Sequence, residues 1–235
     1  MITVTSRPFA PAPRRLQSVK FNGPAGRLEA VVNEASGNAR YAAVVCHPHP
    51  LGGGTLHNKV VYHAMKALNA AEWGLGWPVL RFNFRGVGLS QGAYDGAAEA
   101  GDVQAAMRWL ENEYRLPLVV VGFSFGAAMA LACCCGHGNA ARPTPDIRAL
   151  AALGLPIRFS KRLYDYSFLQ NCSVPKYFLS GDRDQFAPKT ELIQALANAA
   201  EPKDMALVPG ADHFFSGHLK AMQSALSGWL KEYLA

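Results

Sequence analysis

The chain reads as an α/β protein, a doubly wound and mostly parallel sheet flanked by helices. Three observations predict this. Segments of strand pattern alternate with segments of helical pattern along most of the 235 residues, as a parallel sheet with crossover helices requires. Two strand-like runs, 41–46 (YAAVVC) and 118–121 (LVVV), are apolar without alternation, the mark of strands buried on both faces. The second run passes through Gly122-Phe-Ser124-Phe-Gly126 straight into the alanine-rich residues 127–132, which favour helix.

In chain order, residues 16–22 and 27–34 flank Gly23-Pro24 and predict an antiparallel hairpin at one edge. The strand at 41–46 leads into His47-Pro-His-Pro-Leu-Gly-Gly-Gly54, a loop rich in breakers. Helical spacing over 58–72 is followed by a strand at 78–84 and a loop at 85–90. Residues 102–114 place Val103, Met107 and Leu110 on one helical face. After the strand at 118–121 and the helix beyond Ser124 comes a polar loop, 136–145. Next are a strand at 147–153, an irregular stretch to 172 with one short helix, and a strand at 175–180. Pro188 suits the start of a helix over 188–200. A strand at 205–208 precedes the last helix, 217–234, striped by Leu219, Met222, Leu226, Trp229 and Tyr233. The expected sheet has eight strands in one domain over 16–235. Residues 1–15, with Pro8, Pro11 and Pro13, are expected to form a flexible arm.

Composition narrows the function. Half the residues are hydrophobic and mean hydropathy is +0.02, with no apolar run approaching the roughly 20 residues that span a bilayer. The first residues contain no apolar signal core, so a soluble cytoplasmic protein is expected, with no membrane partner. The net charge of +6 is spread along the chain, with small basic clusters only at Arg14-Arg15 and at Arg158 to Arg162. No nucleic-acid partner is expected. Five cysteines, three of them consecutive at 133–135, read as small, reduced core residues. No cofactor is expected, because the glycines at 85–90 lack dinucleotide spacing. A metal is not expected either. His47 and His49, even with His57 or His63, are flanked by prolines and lack a carboxylate or cysteine set.

Ser124, Asp182, Asp184 and His213 each follow a predicted strand, so they share the carboxyl edge of the sheet, where ligands bind in such folds. A strand turning at once into a helix forces Ser124 into a strained conformation. Gly122 and Gly126 would remove side chains that otherwise collide there, and the serine would stand at a helix N-terminus. Four motifs occur in order: HPHPLGGG at 47–54, FNFRGVGLS at 82–90, GFSFG at 122–126, and GDRDQFAP with GADHFF at 181–188 and 210–215. On these the chain resembles the α/β-hydrolase family from about Leu16 onward. The HPHPLGG form is most similar to a small lidless bacterial subgroup near the dienelactone hydrolases.

That resemblance implies a nucleophile elbow at Ser124, with His213 as base and then acid. The spacing Gly181, Asp184, Pro188 implies Asp184 as the carboxylate that orients it. Asp182 reads as a turn residue, Asp212 as a loop brace and His218 as a surface residue in the last helix. Phe125 N–H is expected as one oxyanion donor. Pro48 and Pro50 have no N–H, so His49 or Leu51 supplies the second, and Leu51, beside the glycines, is chosen. His49, Gly52, Phe168 and Phe214 are expected to contact substrate. Residues 154–173 are too short for a cap domain. Leu155, Ile157, Phe159, Tyr164, Tyr166, Phe168 and Leu169 are expected to line an apolar wall beside Ser124, with Arg158, Lys161 and Arg162 solvated. The implied function is a cofactor-free serine hydrolase acting on a small carboxylic ester through an acyl-enzyme. Thioesterase, acyltransferase and peptidase chemistry use the same groups. A non-catalytic binding scaffold is the reading from another class, and a homodimer stays open.

Overall fold

The computed structural model describes residues 16–73, 75–136, 145–160 and 162–235. The expectations for the arm at 1–15, for most of the 136–145 loop and for Lys161 lie outside the described residues. The sheet has eight strands. In chain order they are β1 (Leu16–Gly23), β2 (Gly26–Asn33), β3 (Ala42–Cys46), β4 (Val79–Phe82), β5 (Leu118–Phe123), β6 (Ile147–Leu153), β9 (Lys176–Gly181) and β10 (Lys203–Val208). A separate two-stranded hairpin, β7 (Arg158–Phe159) and β8 (Arg162–Leu163), lies between β6 and β9. The spatial order is β1-β2-β4-β3-β5-β6-β9-β10. The pairs β1–β2 and β2–β4 are antiparallel, and the others are parallel.

The apolar runs explain the layering. Successive strand side chains point to opposite faces, and β3 and β5 are apolar at every position. Val44 and Val120 therefore enter one core with Met107, Leu131 and Leu192. Val45 and Val121 enter the other with Val61, Leu68 and Leu226. Helices α2 (Ala100–Tyr114), α3 (Phe125–Cys135) and α4 (Lys189–Leu196) supply the first face, while α1 (Lys59–Asn69) and α5 (Leu219–Tyr233) supply the second. Among the described residues no helix is long and apolar enough to cross a membrane.

Where boundaries differ from expectation, a polar group intervenes. The strand expected to reach Phe84 leaves the ladder after Phe82, because the Asn83 amide binds Leu56 N–H and Glu29 and the Phe84 N–H donates to His47 Nε2. Helix α4 ends four residues early. The ammonium of Lys203 donates to the carbonyls of Leu196, Ala197 and Ala199, satisfying acceptors that a longer helix would have used itself. Helix α1 starts at the Asn58 cap, whose side chain accepts the Val60 N–H at 2.9 Å.

Two expectations are corrected. The cysteines are not all reduced: Cys135, at the end of α3, is disulfide-bonded to Cys172, with Cα atoms 5.1 Å apart. Neighbours on one helix indeed cannot pair, but Cys172 lies 37 residues away and folds back over it. Cys46, Cys133 and Cys134 are free. Nor do Leu155, Tyr166 and Leu169 form a wall; they are buried in the core on the α3 face. The short helix expected in this stretch is the 3-10 turn Ser167–Asn171, and the β7–β8 hairpin precedes it.

Candidate active site

Strand β5 delivers Ser124 to the carboxyl edge of the sheet, at the N-cap of α3 with φ 54° and ψ −123°. Such a conformation is costly for a residue with a Cβ, and it persists only where the surroundings fix it. The fixing groups are identifiable. Ser124 N–H donates to Leu153 O at 2.9 Å, and Ala127 N–H returns to Ser124 O at 2.9 Å. A Cβ on residue 122 would lie 2.4 Å from Ala127 Cα, and one on residue 126 would lie 2.5 Å from both the Cys46 and His47 carbonyl oxygens. Only glycine lets strand and helix close this tightly. Ser124 is 8% exposed, and the Phe125 N–H beyond it has no hydrogen-bond partner among the described residues.

The loop after β10 brings His213 to Ser124, with Nε2 2.9 Å from Oγ. The loop after β9 brings Asp184, whose Oδ2 is 2.8 Å from His213 Nδ1. Its other oxygen accepts the N–H groups of Phe186 (2.8 Å) and Ala187 (3.2 Å), and Ser180 Oγ donates to Oδ2. A carboxylate so surrounded is held in one orientation. It fixes the imidazole proton on Nδ1 and leaves Nε2 to accept from the serine. Asp182 does something else: its Oδ1 accepts the Gly210 N–H at 2.7 Å and ties the two loops together. Asp212 accepts the N–H groups of Phe214 and Ser216, and those bonds, Ser216 first, hold its pKa below the usual range. His218 is not within the last helix. It occupies the N-cap of α5 and donates to Ser216 O.

On the other side of Ser124 lies the 47–54 loop. His47 is fully buried. Its Nδ1 donates to Pro48 O at 2.7 Å and its Nε2 accepts the Phe84 N–H at 3.0 Å. Burial lowers its pKa to about 4, so it is a neutral brace. His49 accepts the Leu51 N–H at Nδ1 (3.2 Å), and its Nε2 is 2.9 Å from the Tyr94 hydroxyl. Both nitrogens of each ring are thus engaged within the chain. Among the described residues no three His, Cys, Asp or Glu side chains converge on a metal position.

The expected substrate contacts divide. His49 stacks on Phe159 at 4.6 Å and lies 5.2 Å from the Phe125 ring. Gly52 sits against His49, and Phe214 stands half exposed, 5.2 Å from His213. Phe168 is not part of this group. It packs on the core beside Tyr166 and makes no aromatic contact with His49 or His213. Two aromatic residues had not been singled out. Phe186 packs edge-on against His213 at 4.7 Å, and its place between Asp184 and Pro188 was a usable signal. Tyr94 gave none, because it lies in the long 83–99 loop, 45 residues from its partner.

Residues 42–231 match the alpha/beta hydrolase domain. The chain belongs to the alpha/beta-hydrolase family. An uncharacterised protein of Rickettsia prowazekii is 36% identical over 223 residues, spanning 92% of this chain and 89% of that one. A solved alpha-beta serine hydrolase homologue from Coxiella burnetii is 32% identical with a TM-score of 0.78, covering 91% of this chain and 97% of its own. A Xanthomonas campestris serine hydrolase described as lacking a lid is 26% identical, also with a TM-score of 0.78, and covers 97% and 98%. This hydrolase is of the same small, lidless build. Between β6 and β9 it carries only the β7–β8 hairpin and one 3-10 turn. The FNFRGVGLS loop in this alpha/beta hydrolase is braced by a buried ion pair. Arg85 donates through its backbone N–H, Nε and Nη2 to Asp102, and Nη2 also reaches Ala98 O.

Proposed function

We propose that the protein is a serine hydrolase that cleaves small carboxylic esters through an acyl-enzyme. The observation that carries this reading is the unbroken chain from Ser124 Oγ through His213 to Asp184, 2.9 and 2.8 Å, at a strained strand-to-helix turn. Ser124 Oγ attacks the ester carbonyl as its proton passes to His213 Nε2, and Asp184 stabilises the resulting imidazolium. The tetrahedral intermediate expels the alcohol, which takes that proton from His213. Water, deprotonated by the same nitrogen, then attacks the acyl carbon and releases the acid and free Ser124.

The negative oxygen of each intermediate needs two donors. Phe125 N–H, unpartnered at the start of α3, is one. For the second, the hydrogen bonding favours His49 over Leu51. The Leu51 N–H is spent on His49 Nδ1 and its side chain is 77% exposed, whereas the His49 N–H has no partner among the described residues. The absence of an inserted domain between β6 and β9 supports small, water-soluble substrates.

Labelling with a fluorophosphonate probe tests the reading directly. The wild-type protein is expected to react at Ser124 and to hydrolyse p-nitrophenyl acetate, while Ser124→Ala does neither and keeps its melting temperature. The expected loss of turnover is about a thousandfold or more. Equal labelling of the variant would show that the nucleophile lies elsewhere.

A further inference from the structure

The hydrogen bonds around His49 leave one proton without a destination. The Leu51 backbone N–H can only donate, so His49 Nδ1 is the acceptor and the proton of the neutral ring sits on Nε2. The bond between Nε2 and the Tyr94 hydroxyl, 2.9 Å long, must then run from the ring to the phenol oxygen. The guanidinium of Arg162 lies near that oxygen, with Nη1 bonded to Gly96 O. With the ring as donor, the phenol's own O–H hydrogen is directed elsewhere, and no acceptor for it occurs among the described residues.

The surroundings keep this hydroxyl in place. Arg162 is half buried over the Tyr164 ring, 4.5 Å from its centroid, and donates through Nη1 to Gly96 O. This corrects its reading as an ordinary solvated side chain, which fits Arg158, ion-paired at the surface with Glu191. Arg162 has no ion pair among the described residues. A Cβ on residue 96 would lie 3.1 Å from Tyr94 Oη and 3.2 Å from Arg162 Nη1. Only a residue without a side chain lets the backbone pass this close to both groups. Nearby Glu99 and Asp95 keep this spot from being strongly cationic, and their carboxylates accept backbone N–H groups of residues 95–98. A neutral oxygen therefore suits it better than a full negative charge.

We propose that the Tyr94 hydroxyl is a substrate-directed donor and that the preferred acyl groups carry a neutral acceptor oxygen (ether, hydroxyl or keto) beyond the scissile carbonyl. This rests on the esterase reading above. The leaving alcohol must lie against His213, which protonates it. Tyr94 lies instead toward His49 and Phe125, its ring 5.1 and 5.8 Å from theirs. The part of the substrate that can reach it is the acyl group.

The test uses matched pairs that differ by one oxygen: p-nitrophenyl 3-methoxypropanoate against pentanoate, and methoxyacetate against butanoate. Comparing wild type with Tyr94→Phe on each ester cancels intrinsic reactivity. The variant's loss in kcat/KM is expected to be about tenfold larger for an oxygenated ester than for its carbon analogue, the scale of one buried hydrogen bond. It should appear mainly in KM. Equal losses on both members of each pair would overturn the proposal, because Tyr94 would then act only by holding His49. No loss on any ester would overturn it equally. Fluorophosphonate labelling of Ser124 in both proteins separates the two ideas: if wild type is not labelled and cleaves no ester, the esterase reading itself has failed. Should Tyr94→Phe not fold, Arg162→Met removes the guanidinium that packs beside the same hydroxyl and ties Gly96 in place. A selective loss on the oxygenated esters then supports the proposal, and an equal loss overturns it.

Discussion

The Oδ2 atom of Asp184 stands 2.8 Å from His213 Nδ1, while Asp182, two residues earlier, turns its carboxylate to the Gly210 N–H. The two side chains are therefore separable by experiment. Asp184→Asn is expected to cut turnover by about a thousandfold or more, because the amide no longer holds the productive tautomer. Asp182→Asn is expected to lower the melting temperature by a few degrees with a much smaller effect on kcat. The reverse ranking of kcat would put the orienting carboxylate at 182.

Gly126 touches no substrate in the mechanism above, yet it is expected to be intolerant. A methyl group there would press on the Cys46 and His47 carbonyl oxygens at 2.5 Å. Gly126→Ala should destabilise the fold by about 3 kcal/mol through overpacking and should reduce fluorophosphonate reactivity in whatever protein remains folded. A denaturation midpoint equal to wild type would mean that the strand and helix can move apart.

His47 makes stability depend on pH. Its pKa falls from 6.5 to about 4 on folding because burial disfavours the imidazolium. Below pH 6.5 the unfolded chain takes up a proton that the folded chain refuses until about pH 4. The contribution is therefore fully present above pH 6.5 and lost as pH falls through that window, about 3 kcal/mol in all. Urea midpoints between pH 7 and 4 should fall less steeply in His47→Gln than in wild type. Parallel slopes would show that another group carries the acid sensitivity.

An open site should not reward long acyl chains. Each further methylene adds about 0.8 kcal/mol only if it is buried, and the segment between β6 and β9 offers no inserted domain to cover one. Along p-nitrophenyl acetate, butyrate, octanoate and palmitate, kcat/KM is expected to peak at the short end and to fall steeply by palmitate. A maximum at octanoate or beyond would require a deep acyl pocket.

The sheet was legible because its signal is local. Continuous apolar runs such as 118–121 admit little besides a strand covered on both faces, and a residue placed just after such a run stands at the carboxyl edge. For that reason the sequence alone puts Ser124, Asp184 and His213 on one edge. What escaped the sequence depends on distant partners. Lys203 shortens α4 from outside it, Cys172 returns to Cys135, and Tyr94 meets His49 from a loop in which Glu99 gathers the Asp95 and Gly96 N–H groups. The Leu51 N–H could not be discounted without knowing that the His49 ring folds back to accept it. The wall expected from Leu155, Tyr166 and Leu169 failed for a related reason, since apolar residues in an irregular stretch carry no period that says which way they face.

Some loop side chains at the carboxyl edge of the sheet stand clear of both packed faces. Ser124, Asp184 and His213 belong to neither apolar core, and Leu51 and Leu163 stand 77% and 78% exposed. Changes at those rim positions remove little buried surface, so they can alter what is recognised at small cost in folding free energy. Substrate preference and thermal robustness can then drift apart in descendants of this chain. A laboratory lineage selected for new esters can exhaust the rim long before it endangers the fold.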